Sequence, residues 1–128
     1  MSDANVPQET QRANAAPEAG TQPMRVDRAL EQAHKLFVAG HLDKAAQLCT
    51  QIVSQRPRLP EAHNLLAAIV HAQGNSAAAI KSMQRAINLN GNNAQFYANL
   101  GEMERQRGKL PQALVALRRA VEIGRAHV

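Results

Sequence analysis

Three glycines, Gly40, Gly74 and Gly108, stand 34 residues apart. The same interval recurs without a gap in Ala45/Ala79/Ala113, Ala46/Ile80/Leu114, Cys49/Met83/Leu117, Ile52/Ala86/Ala120 and Val53/Ile87/Val121. In most of these columns small residues align with small and large with large. One such column is a coincidence; several in one register are a repeat. A chain of this kind folds by stacking copies of one small unit, because no single copy can bury its apolar face alone.

Each unit divides into two helices. The first-helix segments are expected at about 26–39, 60–73 and 94–107, and the second at about 43–55, 77–89 and 111–122. The three glycines follow the first helices, where a left-handed residue ends a helix without strain. Pro60 and Pro111 sit where a first helical residue is expected, so their missing N–H leaves nothing unpaired. Asn93 is placed to cap the helix from Ala94, and Asn90 to Asn93 form a turn between units. In the last helix Ala113, Leu114, Leu117, Ala120 and Val121 make an i, i+1, i+4, i+7, i+8 stripe.

Composition agrees with packed helices. Hydrophobic residues make up 45% of the chain but aromatics only 2%, so Ala, Leu, Ile, Val and Met must build the core. That argues against a β-sandwich. The expected fold is all-α: a solenoid of three antiparallel helix pairs over residues 24–122, with repeats at about 26–59, 60–93 and 94–122.

The flanks read differently. Residues 1–23 hold three prolines and, beyond the initiator Met, only Val6 as an aliphatic side chain larger than Ala. Such a segment cannot offset the entropy of ordering, and a disordered tail is expected. It lacks the basic start and apolar run of a secretory signal, and Arg12 is its only basic residue, which argues against a transit peptide. No apolar run nears the roughly 18 residues of a membrane span. The expected compartment is the cytoplasm. At the other end, Leu110, Leu114, Leu117 and Val121 lie on a helix with no capping helix after it, which means a missing continuation or self-association. Residues Ile123 to Val128 are spelled by ATC GGA AGA GCA CAC GTC, which matches a widely used sequencing adapter in one frame. The reading is therefore that native sequence ends near Val121 and that 123–128 are a read-through tail of a truncated gene.

Three sets of residues resemble the tetratricopeptide repeat family: Tyr97, Leu100, Gly101, Ala113, Leu117 and Ala120 in the third unit; His63, Leu66, Ala67, Val70, Ala79, Met83 and Ala86 in the second; and Ala33, Leu36, Ala45, Cys49 and Pro57 in the first. The resemblance covers residues 24 to about 122 and implies a right-handed superhelix. Glu104 departs from it, standing where the third unit should carry a large packing residue. Gln32 replaces the motif leucine of the first unit. Gly91 and Arg125 stand where later units should end in proline.

Chemistry-bearing residues form no catalytic set, and no glycine-rich phosphate loop is present. Cys49 shares a column with Met83 and Leu117, so it reads as a buried hydrophobe; a lone cysteine also excludes a disulfide framework. His63 reads as a packing residue. His34 and His71 fall on the inner side without a third ligand for a metal. From residue 24 onward, fourteen basic residues face seven acidic ones, a net +7. Arg105/Arg107/Lys109 and Arg118/Arg119 read as solvated surface, and no aromatic interleaving points to nucleic acid. No cofactor, metal or small-molecule substrate is expected.

The resemblance implies that the working surface is the concave groove lined by the first helices. By column, the groove residues are Leu30, His34, Phe37, Glu61, Asn64, Ala68, His71, Gln95, Asn99, Glu102 and Arg105. Some family members grip a peptide carboxylate with a Lys, Asn, Asn, Lys, Arg set; here Leu30, His34, Leu65, Gln95 and Asn99 stand there, and none matches. The asparagine ladder of O-linked N-acetylglucosamine transferases keeps one rung, Asn99, with Glu31 and Leu65 in the other two. The expected function is a non-enzymatic scaffold that binds peptide segments of protein partners. The alternative is the substrate-presenting arm of a larger bacterial transferase, a glycosyltransferase or sulfotransferase.

Overall fold

A computed structural model describes residues 25–126, so the expectation for 1–23 lies outside the described residues. Six helices follow in order: α1 (Val26–Val38), α2 (Leu42–Gln55), α3 (Pro60–Ala72), α4 (Ser76–Leu89), α5 (Ala94–Gln106) and α6 (Leu110–Ala126). Among the described residues there is no strand. Each helix packs on the next, and the first helices α1, α3 and α5 also meet their counterparts one unit away.

The punctuation follows from local chemistry. Gly40, Gly74 and Gly108 take φ of +87°, +94° and +77°. Each lets the chain reverse so that the following N–H reaches back to the helix: His41 N–H to Leu36 O (2.9 Å), Asn75 N–H to Val70 O (3.1 Å) and Lys109 N–H to Glu104 O (2.9 Å). These are Schellman closures, which pair carbonyls the helix leaves open. Asn93 caps α5 by accepting from Phe96 N–H (3.2 Å). Asn75 does the same for α4 through Ala78 N–H (3.1 Å), a cap not anticipated from sequence.

Three apolar clusters run along the solenoid. Ala33, Ile52 and Ala62 join units one and two, with Leu30 and Leu65 against them. Ala45, Cys49 and Ile69 form the next, with Phe37 against it. Ala67, Ala79, Met83, Ala86, Phe96 and Met103 join units two and three. Small residues allow the helices to close. A Cβ on Gly101 would sit 2.7 Å from Leu117 Cγ, so α5 and α6 approach only because that position is glycine. Two buried polar groups bond across the unit boundary: Cys49 Sγ–H donates to Ala62 O (3.3 Å), and His63 Nε2–H donates to Pro57 O (2.8 Å), while the buried His63 Nδ1 has no partner among the described residues. His63 is 4% exposed, more deeply packed than expected.

Several boundaries differ from the expectation. The second helices begin at Leu42, Ser76 and Leu110, one residue early. A left-handed glycine plus one capping residue suffices to restart the chain as helix. Pro111 is therefore second rather than first in α6, still within the turn that tolerates it. The helix also does not stop at 122: it runs to Ala126, with Ile123 buried. The expected end-helix stripe is exposed. Leu114 is 50% and Leu117 39% accessible, where the same columns in unit two, Ile80 and Met83, are 6% and 0%.

Candidate functional site

Residues four and then three apart fall on one helix face. Leu30, His34 and Phe37 occupy such a face of α1; Asn64, Ala68 and His71 do so on α3; Gln95, Asn99 and Glu102 on α5. The 34-residue register aligns His34 with Ala68 and Glu102, and Phe37 with His71 and Arg105.

The structure ties part of this set together. Gln95 Nε2 donates to Asn99 Oδ1 (2.9 Å), and Asn99 Nδ2 donates to Asn64 Oδ1 (2.9 Å). The second bond crosses from α5 to α3. It was not legible in the column alignment, which pairs Asn99 with Leu65, because neighbouring helices meet offset by one residue. The Asn64 amide NH2 and the Gln95 carbonyl oxygen have no protein partner among the described residues, so the chain ends in one free donor group and one free acceptor.

Beside it lies a charged group. Arg105 donates to both carboxylate oxygens of Glu102 (Nε 3.0 Å, Nη2 2.6 Å), and Gln106 Nε2 adds a third bond (2.8 Å). The Arg105 hydrogen bond, followed by that of Gln106, holds the Glu102 carboxyl down at about 2. The Glu102 carboxylate in turn raises the Arg105 guanidinium. His71 also acts on Glu102 electrostatically, which places it on the same face, and its Nδ1 lies 3.2 Å from Ser76 Oγ.

The unit-one residues are apolar in character. Leu30 and Phe37 are half-buried against the core clusters. His34 is exposed and stacks at a tilt on Phe37, ring centroids 6.5 Å apart. Ala68 is half-buried and Glu61 exposed; neither makes a side-chain hydrogen bond among the described residues. The face therefore grades from apolar at α1, through amides, to a charged pair at α5.

Away from this face, the Cys49 thiol is buried and desolvation pushes it up to about 12, so it carries no nucleophile at neutral pH. Among the described residues, no three His, Cys, Asp or Glu side chains are grouped to hold a metal. No described helix is long and apolar enough to cross a membrane.

The tetratricopeptide repeat profile matches residues 30–92 and 72–127. The chain belongs to the tetratricopeptide repeat family. Three solved tetratricopeptide structures illustrate the likeness. The Yersinia enterocolitica type III secretion chaperone SycD, in complex with a peptide of the translocator YopD, has a TM-score of 0.73 at 19% identity, over 77% of this chain and 75% of that one. MamA has a TM-score of 0.74 at 25% identity, over 81% and 61%. The first repeat domain of Spaghetti (RPAP3), bound to the HSP90 peptide SRMEEVD, has a TM-score of 0.74 at 22% identity, over 77% and 79%. No match was found among curated proteins.

Proposed function

We propose that this chain is a protein-interaction scaffold that binds extended peptide segments on the face of α1, α3 and α5, and performs no chemistry of its own. One observation carries the reading: the amide chain Gln95–Asn99–Asn64, which spans two units and ends in an unpaired donor group and acceptor. A peptide backbone offers the matching groups, while the rigid stack keeps the ordering cost low. Leu30 and Phe37 supply apolar contact at one end, and the Glu102–Arg105 pair sets polarity at the other. The peptides held by SycD and by the RPAP3 domain support the reading. Here Leu30, His34, Leu65, Gln95 and Asn99 replace the carboxylate-gripping set, so internal segments suit this face better than an acidic C-terminus.

The test is selection from a displayed peptide library, followed by NMR mapping on the labelled chain. Shifts are expected at Asn64, Gln95, Asn99 and Arg105. Asn99→Ala removes one shared amide and is expected to weaken binding by about 1–2 kcal/mol, roughly tenfold. Shifts confined to α2, α4 and α6, or an Asn99→Ala variant that binds unchanged, overturn the assignment. The proposal includes a cytoplasmic setting, checked by cell fractionation, and self-association through Leu110, Leu114, Leu117 and Val121.

A further inference from the structure

A cavity of about 550 Å³ lies between α5 and α6, on neither the first-helix face nor the exposed stripe of α6. Tyr97, Leu100, Val115 and Ala116 give it an apolar wall, with Glu104 and Arg119 as its charged members. Glu104 is the anomaly. Its column holds Leu36 in unit one and Val70 in unit two, and both pack against apolar clusters. The Glu104 side chain is only 12% exposed. Its partner is Arg107 at 3.8 Å, too long for a hydrogen bond, and no other partner exists among the described residues. The Glu104 carboxylate therefore makes no hydrogen bond within the described residues and is free to accept from a cationic donor that enters the cavity.

Arg119 does not supply that cation. Its guanidinium lies 5.9 Å from the centroid of the Tyr97 ring and bonds Glu122 at 3.4 Å. Arg119 is held by Glu122 and Tyr97, whereas Glu104 has only the long ion pair to Arg107. The cavity thus combines apolar walls with one under-partnered negative charge, and this selects a ligand with a cation at the end of an apolar stem.

We propose that this cavity is a second binding site, for an ammonium group on an aliphatic stem. The stem lies along Tyr97, Leu100, Val115 and Ala116, and the ammonium pairs with the Glu104 carboxylate. Two sources carry this chemistry: a lysine side chain presented by a bound protein, and a free alkylamine. The site shares no residue with the peptide face, so it stands or falls independently of that reading.

Methyl NMR of the full chain with hexylammonium as probe tests it. Saturable shifts are expected at Leu100, Val115 and Ala116, with 1-hexanol binding at least about tenfold more weakly, since it lacks the charge. Glu104→Gln keeps the shape without the charge and is expected to bind both probes alike. Glu104→Val restores the residue type of the other units; it is expected to melt no lower than wild type, to retain 1-hexanol and to lose the ammonium preference. It carries the test if Glu104→Gln folds poorly. Nα-acetyl-lysine N-methylamide separates the sources: binding comparable to hexylammonium assigns the site to a lysine side chain, and binding of hexylammonium alone assigns it to free amines. Equal binding of 1-hexanol and hexylammonium to wild type, or hexylammonium binding undiminished in both Glu104 variants, overturns the proposal. Asn99→Ala should leave hexylammonium binding unchanged, which separates this site from the peptide face.

Discussion

Gly74 shows how a single residue's conformation carries the fold. At φ +94° a side chain is strained even though a Cβ there meets nothing within 4 Å. Gly74→Ala is therefore expected to cost about 1–2 kcal/mol from conformation alone, and Gly74→Asn less, as read by denaturant unfolding. Cys49 makes the opposite case, a reactive group silenced by packing. Burial raises the thiol from 9.0 to about 12, so the folded state keeps its proton after the unfolded state has lost it. The stabilisation from the neutral thiol is complete below pH 9 and declines as pH rises toward 12. The slope attributable to this one group is at most about 1.4 kcal/mol per pH unit. A Cys49→Ala variant should lack that component, and native protein should resist thiol-modifying reagents until it unfolds.

At the scale of elements, α5 carries half of the polar side chains of the peptide face. Its last turn places Arg105 three residues after Glu102, close enough for two hydrogen bonds on the helix surface. Because Arg105 is the main cause of the depressed Glu102 carboxyl, Arg105→Gln is expected to return it toward the ordinary carboxylate range. Carboxyl NMR through an acid titration reads this directly; a Glu102 that still titrates near 2 would mean that Gln106 or the helix alone sets it. Both groups lie on the surface, so unfolding stability should hardly change.

Across the whole molecule the two ends differ. The columns that seat α3 and α5 on the preceding unit hold Ala62 and Ile69, then Phe96 and Met103; on α1 they hold Arg28 and Lys35, both exposed. That face of α1 is polar. On α6, Leu110, Leu114 and Val121 are each at least half exposed. Docking Arg28 and Lys35 into this apolar stripe would bury unpaired charge, so the proposed self-association is expected to be a two-fold contact of α6 with itself rather than head-to-tail stacking. Leu114→Glu with Val121→Glu is expected to lower the apparent mass in sedimentation at high concentration without lowering the melting temperature. A wild-type chain that stays monomeric at millimolar concentration would contradict this.

The sequence by itself determined the helix count, the pairing and the turns. Those follow from a fixed period, from glycine and proline chemistry, and from an i, i+3, i+4 stripe, all of which act within one unit. It also placed Cys49 in the core, because its column holds Met83. Tertiary structure alone decided what crosses between helices. The Asn99–Asn64 bond depends on a one-residue offset between neighbouring helices, which the repeat interval cannot express. The burial of Ile123 and the continuation of α6 to Ala126 likewise had no local signal in the sequence. Glu104 stood out in the alignment as a misfit. Only the packing of α5 against α6 turned that misfit into a carboxylate at the edge of an apolar cavity, because its environment is made by side chains from another helix.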